Sequence, residues 1–231
     1  MGARKAGRPP VDAARQLERA HRILDAAAGL VVRWGYDKTT IEDVARAADV
    51  AKGTIYLHWR TRDELFVALL RRERVAMLRA VRQADPKTLD DLVHHLALGV
   101  MRDPLIRASV LNDSQVLGKL TRQKKPDTEL ASGFLGYFET LAGLGVVRDD
   151  LHPGEHATVL GSVLQGFLTV AARMPEEFRL PDERLAELVG ESVHRTLESG
   201  RPFGPEAVEA TRRFLALAID VGENKLKEAL G

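Results

Sequence analysis

One stretch of the chain, AKGTIYLHW at residues 51–59, alternates polar and apolar side chains in a pattern that suits chemistry as well as packing. Its polar members carry an ammonium group, two kinds of hydroxyl and an imidazole. Such groups hydrogen-bond to phosphate oxygens and to the edges of bases. Ile55 and Trp59 stand four residues apart, so on a helix they share one face. We expect that face to pack against neighbouring helices and to fix the angle at which the polar groups are presented.

The elements that must position these residues are short helices. Ile23, Ala27 and Val31 form the apolar stripe of a first helix, and Gly35 is a typical C-terminal cap. Thr39 or Thr40 can cap a second helix, with Glu42 or Asp43 as the reciprocal carboxylate. A third helix is predicted from about residue 52 to residue 59.

The rest of the chain also has helical spacing, and no alternating strand pattern is found, so the predicted fold class is all-α. Thr61 and Glu64 form a capping box that opens a long fourth helix, which we expect to end near Gln83. Prolines then divide the remainder into six further predicted helices, because proline is tolerated in a first turn but not in a helix interior.

Two short helices separated by a tight turn are the pattern of a helix-turn-helix DNA reader, whose second helix enters the major groove. Lys52 can reach a phosphate or guanine acceptors, and Gly53 permits close backbone approach. Thr54 offers a hydroxyl or a methyl group to a base edge. Tyr56 and His58 suit phosphate oxygens.

Residues 20–66 resemble the N-terminal domain of the TetR family of bacterial transcriptional regulators, through WGYDKTTIEDVARAADVAKGTIYLHWRTRDEL. The resemblance covers about forty-five residues without a gap. Ala51 stands where the family usually has a capping serine, Trp59 where it has phenylalanine, and Arg62 where it has lysine. Loss of the serine hydroxyl removes a phosphate contact or about 1 kcal/mol of capping.

The resemblance implies a set of DNA-contacting residues in the motif: Thr40, Lys52, Gly53, Thr54, Tyr56, His58 and Arg62. Arg4, Lys5 and Arg8 resemble the short basic arms that some family members lay into the minor groove, although such a tail is equally compatible with no role. The other interpretation of the motif is a helical hairpin with a solvated polar face.

Composition limits the possible functions further. The 231 residues are 45% hydrophobic and 29% charged, and cysteine is absent, which excludes disulfides, thiolate metal sites and cysteine nucleophiles. No secretory signal or long apolar run is present, so we expect a cytoplasmic protein. Residues 1–84 hold 17 Lys and Arg against 10 Asp and Glu, and the remainder holds 17 against 23. A basic first third on an acidic body favours a polyanionic partner.

We predict two domains, a basic arm with the DNA-binding domain at 1–64 and an effector-binding and dimerisation domain at 65–231. Helix-turn-helix regulators normally act as dimers on two-fold sites. Residues 156–172 are apolar nearly all round, which predicts burial on more than one side. The predicted dimer interface consists of Val159, Val163, Gly166, Val170, Leu185, Val189 and Val193. A central helix of a monomeric bundle would give the same pattern.

The family's C-terminal domain usually encloses an effector cavity, and six aromatic or sulfur side chains are candidates for its lining: Met77, Met101, Phe134, Tyr137, Phe138 and Phe167. At helical spacing such residues are more often plain core. A mostly apolar lining would favour a hydrophobic molecule.

The sequence HPGEH at 152–156 matches the H-x-x-E-H pattern of a zinc hydrolase. That chemistry needs both histidines on one helical face, whereas Pro153 and Gly154 indicate that a helix only begins here, and Glu155 suits its first turn. Adjacent His94 and His95 cannot share a face. We predict no enzyme, no metal site and no cofactor.

Together these features predict a homodimeric transcriptional regulator, a repressor rather than an activator, that binds a palindromic operator and is released by a small hydrophobic effector. The alternative from another class is a helical small-molecule binding protein without DNA function.

Overall fold

A computed structural model of the chain describes residues 10–123 and 128–230. Within these ranges the structure is helical, without a β-strand, and the predicted all-α class is confirmed. The helices are α1 (Pro10–Trp34), α2 (Ile41–Ala47), α3 (Lys52–His58), α4 (Arg62–Ala84), α5 (Leu89–Arg102), α6 (Pro104–Leu111), α7 (Ser114–Leu117), α8 (Thr128–Gly143), α9 (Pro153–Ala171), α10 (Asp182–Leu197) and α11 (Pro205–Leu230). Short 3-10 turns lie at Gly118–Gln123 and Glu176–Phe178.

Local capping explains where the first helices begin. Thr40 caps α2: its hydroxyl accepts the Asp43 N–H at 3.1 Å, and the Asp43 carboxylate accepts the Thr40 N–H at 3.2 Å. Thr39 is instead buried. At α4 the Thr61 hydroxyl accepts the Glu64 N–H, but the Glu64 carboxylate accepts the N–H of Arg60 rather than that of Thr61. The reciprocal hydrogen bond of the predicted capping box is therefore accepted from the backbone N–H one residue before Thr61.

The described residues contain seven α-helices after α4, one more than predicted. The additional break lies between Pro104 and the next proline. Asn112 adopts a left-handed conformation (φ 52°) that ends α6, and the Asp113 carboxylate then accepts the Gln115 N–H to cap α7. Asn and Asp tolerate the left-handed region and compete locally for backbone groups, so they end a helix as proline does.

A first core joins α1, α2 and α3 to the start of α4. Its largest fully buried side chains include Ile23, Tyr36, Ile55, Trp59 and Phe66. The same cluster continues into α6 and α7 through buried leucine and alanine side chains. The packing therefore runs across position 64, and the domain boundary that we place there stays a prediction.

A second core lies among α5, α8, α9 and α10, where Leu92, Phe138 and Val189 are buried. α4 and α11 run antiparallel beside each other and connect the two cores. Arg79 of α4 bonds Glu223 of α11 at 2.7 Å. No helix in the described ranges is both long enough and apolar enough to cross a lipid bilayer.

Candidate nucleic-acid interface

The third helix is held on the first two by its buried side. Ile55 is fully buried and Trp59 is 2% exposed, as their spacing predicts. Ala51 precedes the helix and makes no side-chain capping bond, which fits the expected loss of a serine hydroxyl. α3 is therefore positioned by packing rather than by a cap, and its opposite side faces solvent.

One flank of that exposed side carries Lys52 and Tyr56. The Lys52 ammonium donates a hydrogen bond to the carboxylate of Glu42 on α2, and this bond raises the pKa of Lys52 and lowers that of Glu42. The ammonium also lies 5.9 Å from the centroid of the Tyr56 ring. In the DNA-free chain Lys52 is thus already paired, and it can reach a phosphate only after this exposed pair opens.

The other flank carries Thr54 and His58, both half-buried. The His58 ring lies 5.3 Å from the Trp59 ring. Burial, and secondly the positive charge of Arg19, lower the pKa of His58 below its ordinary value of 6.5. His58 is therefore mostly neutral at pH 7 in the free chain. Gly53 is exposed, and a Cβ there would meet no atom within 4 Å.

The two remaining motif candidates, Thr40 and Arg62, differ in accessibility. Thr40 is exposed and engaged in the α2 cap. The Arg62 guanidinium lies 4.1 Å from the centroid of the buried Tyr36 ring, and its Nη1 donates to the Thr39 carbonyl at 3.1 Å. Arg62 is half-buried, and this contact holds the turn between α1 and α2. Its role as a DNA contact stays a prediction.

Sequence reasoning passed over Leu57, which is 82% exposed on α3. The spacing of the apolar residues indicates this exposure, because Leu57 lies two residues from both Ile55 and Trp59 and a helix directs it away from their buried side. The proposed arm residues Arg4, Lys5 and Arg8 lie outside the described residues.

The predicted dimer residues separate into two sets. Leu185, Val189 and Val193 of α10 are buried in the chain's own second core, mostly against α5, and offer no surface to a second copy. Val159 and Val163 are partly buried against that core, whereas Gly166 and Val170 are exposed. The exposed face of α9 is shifted by one residue from the predicted face at Val159 and Val163, whereas Gly166 and Val170 belong to both faces. It forms a shallow groove of about 620 Å³ lined by Ala157, Thr158, Gly161, Ser162, Gln165, Gly166, Thr169 and Val170.

Three of the six predicted effector residues, Phe134, Tyr137 and Phe138, lie in one aromatic cluster between α8, α9 and α11. Tyr137 stacks on Phe214 with ring centroids 5.0 Å apart, and its hydroxyl lies 2.9 Å from that of Thr211. Phe134 and Phe138 lie 5.1 Å apart. Members of the set that are buried are Met101, Tyr137 and Phe138, while Met77, Phe134 and Phe167 are partly buried. A cleft of about 270 Å³ between α8 and α11 reaches Tyr137 and Phe214 from outside.

The HPGEH sequence serves as a helix cap. His152 precedes α9 and accepts the Gly154 N–H at 3.4 Å, and the Glu155 carboxylate accepts the His152 N–H at 2.8 Å. His156 is fully buried and stacks on Phe138, with ring centroids 5.1 Å apart. His152 and Glu155 therefore cap α9 at the surface, while His156 packs in the core.

One group of potential metal ligands, Asp90, His194 and Glu198, brings its ligand atoms within 4.8 Å of one another. The Glu198 carboxylate accepts the Asp90 N–H at 2.9 Å and lies 2.8 Å from Nδ1 of His194. These bonds tie the end of α10 to the first turn of α5, which is a structural role.

The arrangement of α2 and α3, with one buried and one solvated side on the second helix, defines a helix-turn-helix DNA-binding protein. Residues 23–69 match the family described as bacterial regulatory proteins, tetR family. A curated relative, the HTH-type transcriptional repressor Rv1474c of Mycobacterium tuberculosis, is 28% identical over 189 residues, which are 77% of this chain and 94% of the relative. Over residues 23–69 the chain is therefore similar to the TetR family of bacterial regulatory proteins.

Solved structures support the fold. The putative transcriptional regulator SCO4942 from Streptomyces coelicolor aligns with a TM-score of 0.58 and 19% identity, over 79% of this chain and 98% of that chain. SmeT, solved as a complex with triclosan, aligns with a TM-score of 0.51 and 19% identity, over 83% of this chain and 97% of that chain.

Proposed function

We propose that the chain is a repressor that binds a two-fold symmetric operator as a homodimer and leaves it when a small molecule binds the C-terminal helices. The observation that carries the DNA-binding part is the orientation of α3. Buried Ile55 and Trp59 fix it on α1 and α2, and its outer side presents cationic and hydroxyl groups. A helix held in this way fits the major groove.

A homodimer is supported by the groove on α9. Its lining is small and weakly polar, with Gly161, Ser162 and Gly166 at the surface, so a second helix can approach closely. Pairing of two copies through this face would place two reading helices on one side of a duplex. Half-sites would then lie about 34 to 36 Å apart, one helical turn of DNA.

A small-molecule effector is supported by the aromatic cluster around Tyr137 and Phe138, whose apolar rings suit a hydrophobic ligand. SmeT, a protein of the same fold, was solved with triclosan bound. A ligand shifts an equilibrium only through unequal affinity for its states. The effector must therefore bind more tightly to the arrangement of the dimer that does not fit the operator.

The test is DNA binding itself. Duplexes selected by the protein from a random-sequence pool, or the DNA upstream of its own gene, would be titrated by fluorescence anisotropy between 50 and 200 mM salt. We expect binding that weakens steeply with salt, and a salt slope about one unit smaller for Lys52→Ala. Lys87→Ala is a matched control, because Lys87 is equally exposed and also pairs with a carboxylate, at the far end of α4. Indifference to duplex DNA at low salt would overturn the proposal.

A further inference from the structure

Leu57 is the most exposed large apolar side chain among the described residues, with 82% of its surface accessible. It lies on α3, between Tyr56 and His58. Folding does not account for it, because a leucine that takes no part in a core gains nothing from its apolar character. Its neighbours are polar, so it does not extend an apolar patch of the kind that marks a protein-binding surface.

Helix geometry places Leu57 at the centre of the outer side of α3. An α-helix turns about 100° per residue, so Ile55 and Trp59 point in nearly the same direction, and Leu57 points about 180° away from the midpoint between them. Lys52 and Tyr56 lie on one side of this ridge. Gly53 lies beside Leu57 and adds no side chain, and a Cβ built there would meet nothing within 4 Å.

The outermost ridge of α3 is therefore a leucine beside bare backbone, flanked by hydrogen-bonding groups. When such a helix enters a major groove, its outermost ridge faces the base edges, and its flanks face the sugar-phosphate backbones. In the major groove, the edges of adenine, guanine and cytosine present hydrogen-bonding groups, whereas thymine also presents an apolar C5-methyl group. A buried leucine side chain satisfies none of the hydrogen-bonding groups, whereas it gains contact from a methyl group.

We propose that Leu57 is a specificity-determining residue that reads a thymine methyl group in each half of the operator. Gly53 allows the backbone of α3 to come close enough for this contact. The inference rests on the proposed DNA-binding function and adds to it which base each half-site must contain at the position under the centre of α3.

The test removes the methyl group alone. Each thymine of a duplex selected by the wild-type protein is replaced in turn by deoxyuridine, which keeps the base pairing and the hydrogen-bonding edge. We expect one position in each half-site where the replacement weakens wild-type binding about fourfold, the factor that corresponds to about 0.8 kcal/mol for one buried carbon group. In Leu57→Ala the same replacement should change the affinity by less than about 1.5-fold.

Leu135→Ala on α8 is a matched control, because Leu135 is also an exposed helical leucine and lies outside the DNA-binding domain. It should keep the full response to deoxyuridine. If wild-type protein binds the duplex but no single replacement weakens binding, or if Leu57→Ala responds as wild type does, the role of Leu57 is overturned while the proposed function stands. Absence of any duplex binding would overturn both.

Discussion

The indole N–H of Trp59 donates a hydrogen bond to the carbonyl of Ala229, with 2.7 Å between the nitrogen and the oxygen. Trp59 is the C-terminal cap that follows α3, and Ala229 lies in the last turn of α11. Carbonyls in a last helical turn have no partner within the helix. Arg71 of α4 makes another contact with α11, because its Nη1 donates to the Lys225 carbonyl at 2.8 Å. The end of the reading helix is thus tied directly to the C-terminal helix.

We expect Trp59→Phe to lower the free energy of unfolding by about 2 to 3 kcal/mol. About 1 kcal/mol of this is the lost hydrogen bond, and the rest is the cavity left when a phenyl ring replaces the larger buried indole. Urea unfolding followed by circular dichroism measures this change. Trp34→Phe is the control, since Trp34 is 42% exposed, and it should stay within about 0.5 kcal/mol of wild type. Equal stability of both variants would show that the bond to Ala229 contributes nothing.

The pair between Glu42 and Lys52 gives a prediction about affinity. Glu42→Gln removes the carboxylate that holds the Lys52 ammonium, so we expect operator affinity to rise about two- to fivefold, the range typical of an exposed ion pair. Anisotropy titrations in low salt measure the change. In the Lys52→Ala background the gain from Glu42→Gln should shrink, because there is no ammonium left to release. The same gain in both backgrounds would contradict a role for the pair and indicate simple repulsion between Glu42 and DNA.

We expect operator binding to depend on pH through His58. Burial keeps its pKa below 6.5 in the free chain, so it is mostly neutral at pH 7. A phosphate beside the ring would favour the protonated form and raise the pKa in the complex. Binding would then take up a proton, and affinity should rise as the pH falls from 8 to 6. His58→Gln should remove this dependence, while His194→Gln on α10 should leave it intact. An unchanged pH profile in His58→Gln would mean that His58 only packs against Trp59.

The sequence predicted local features well and tertiary pairings poorly. The cap at Thr40, the uncapped start of α3 and the burial of Ile55 and Trp59 depend on residues within four positions of each other, and periodicity and capping rules describe such neighbours. The resemblance predicts that Arg62 contacts DNA, and that prediction rests on its charge alone. Its stacking on Tyr36 depends on how α4 meets the turn after α1, which no local pattern records.

Contacts distant in sequence were beyond prediction. Trp59 and Ala229 are 170 residues apart, and nothing in either segment indicates that α11 returns to the DNA-binding domain. The exposed face of α9 differs from the predicted dimer face for a related reason. Val159 and Val163 are partly buried against the chain's own core, so the side of α9 that is exposed is instead the one with small, weakly polar residues.

The exposed face of α9 is the surface through which we expect two copies of the chain to pair. Ser162 lies in the groove between Gly161 and Gln165, so Ser162→Arg should cost the single chain little and place two long cations inside a two-fold interface. We expect the variant to be monomeric by light scattering after size exclusion at concentrations where wild type is dimeric. Its affinity for a full operator should approach that for a half-site. Ser132→Arg is the control, since Ser132 is an exposed serine on α8, and it should remain dimeric. A Ser162→Arg protein with the mass of a dimer would exclude this face as the interface, because a charge without a partner is not tolerated in a buried contact.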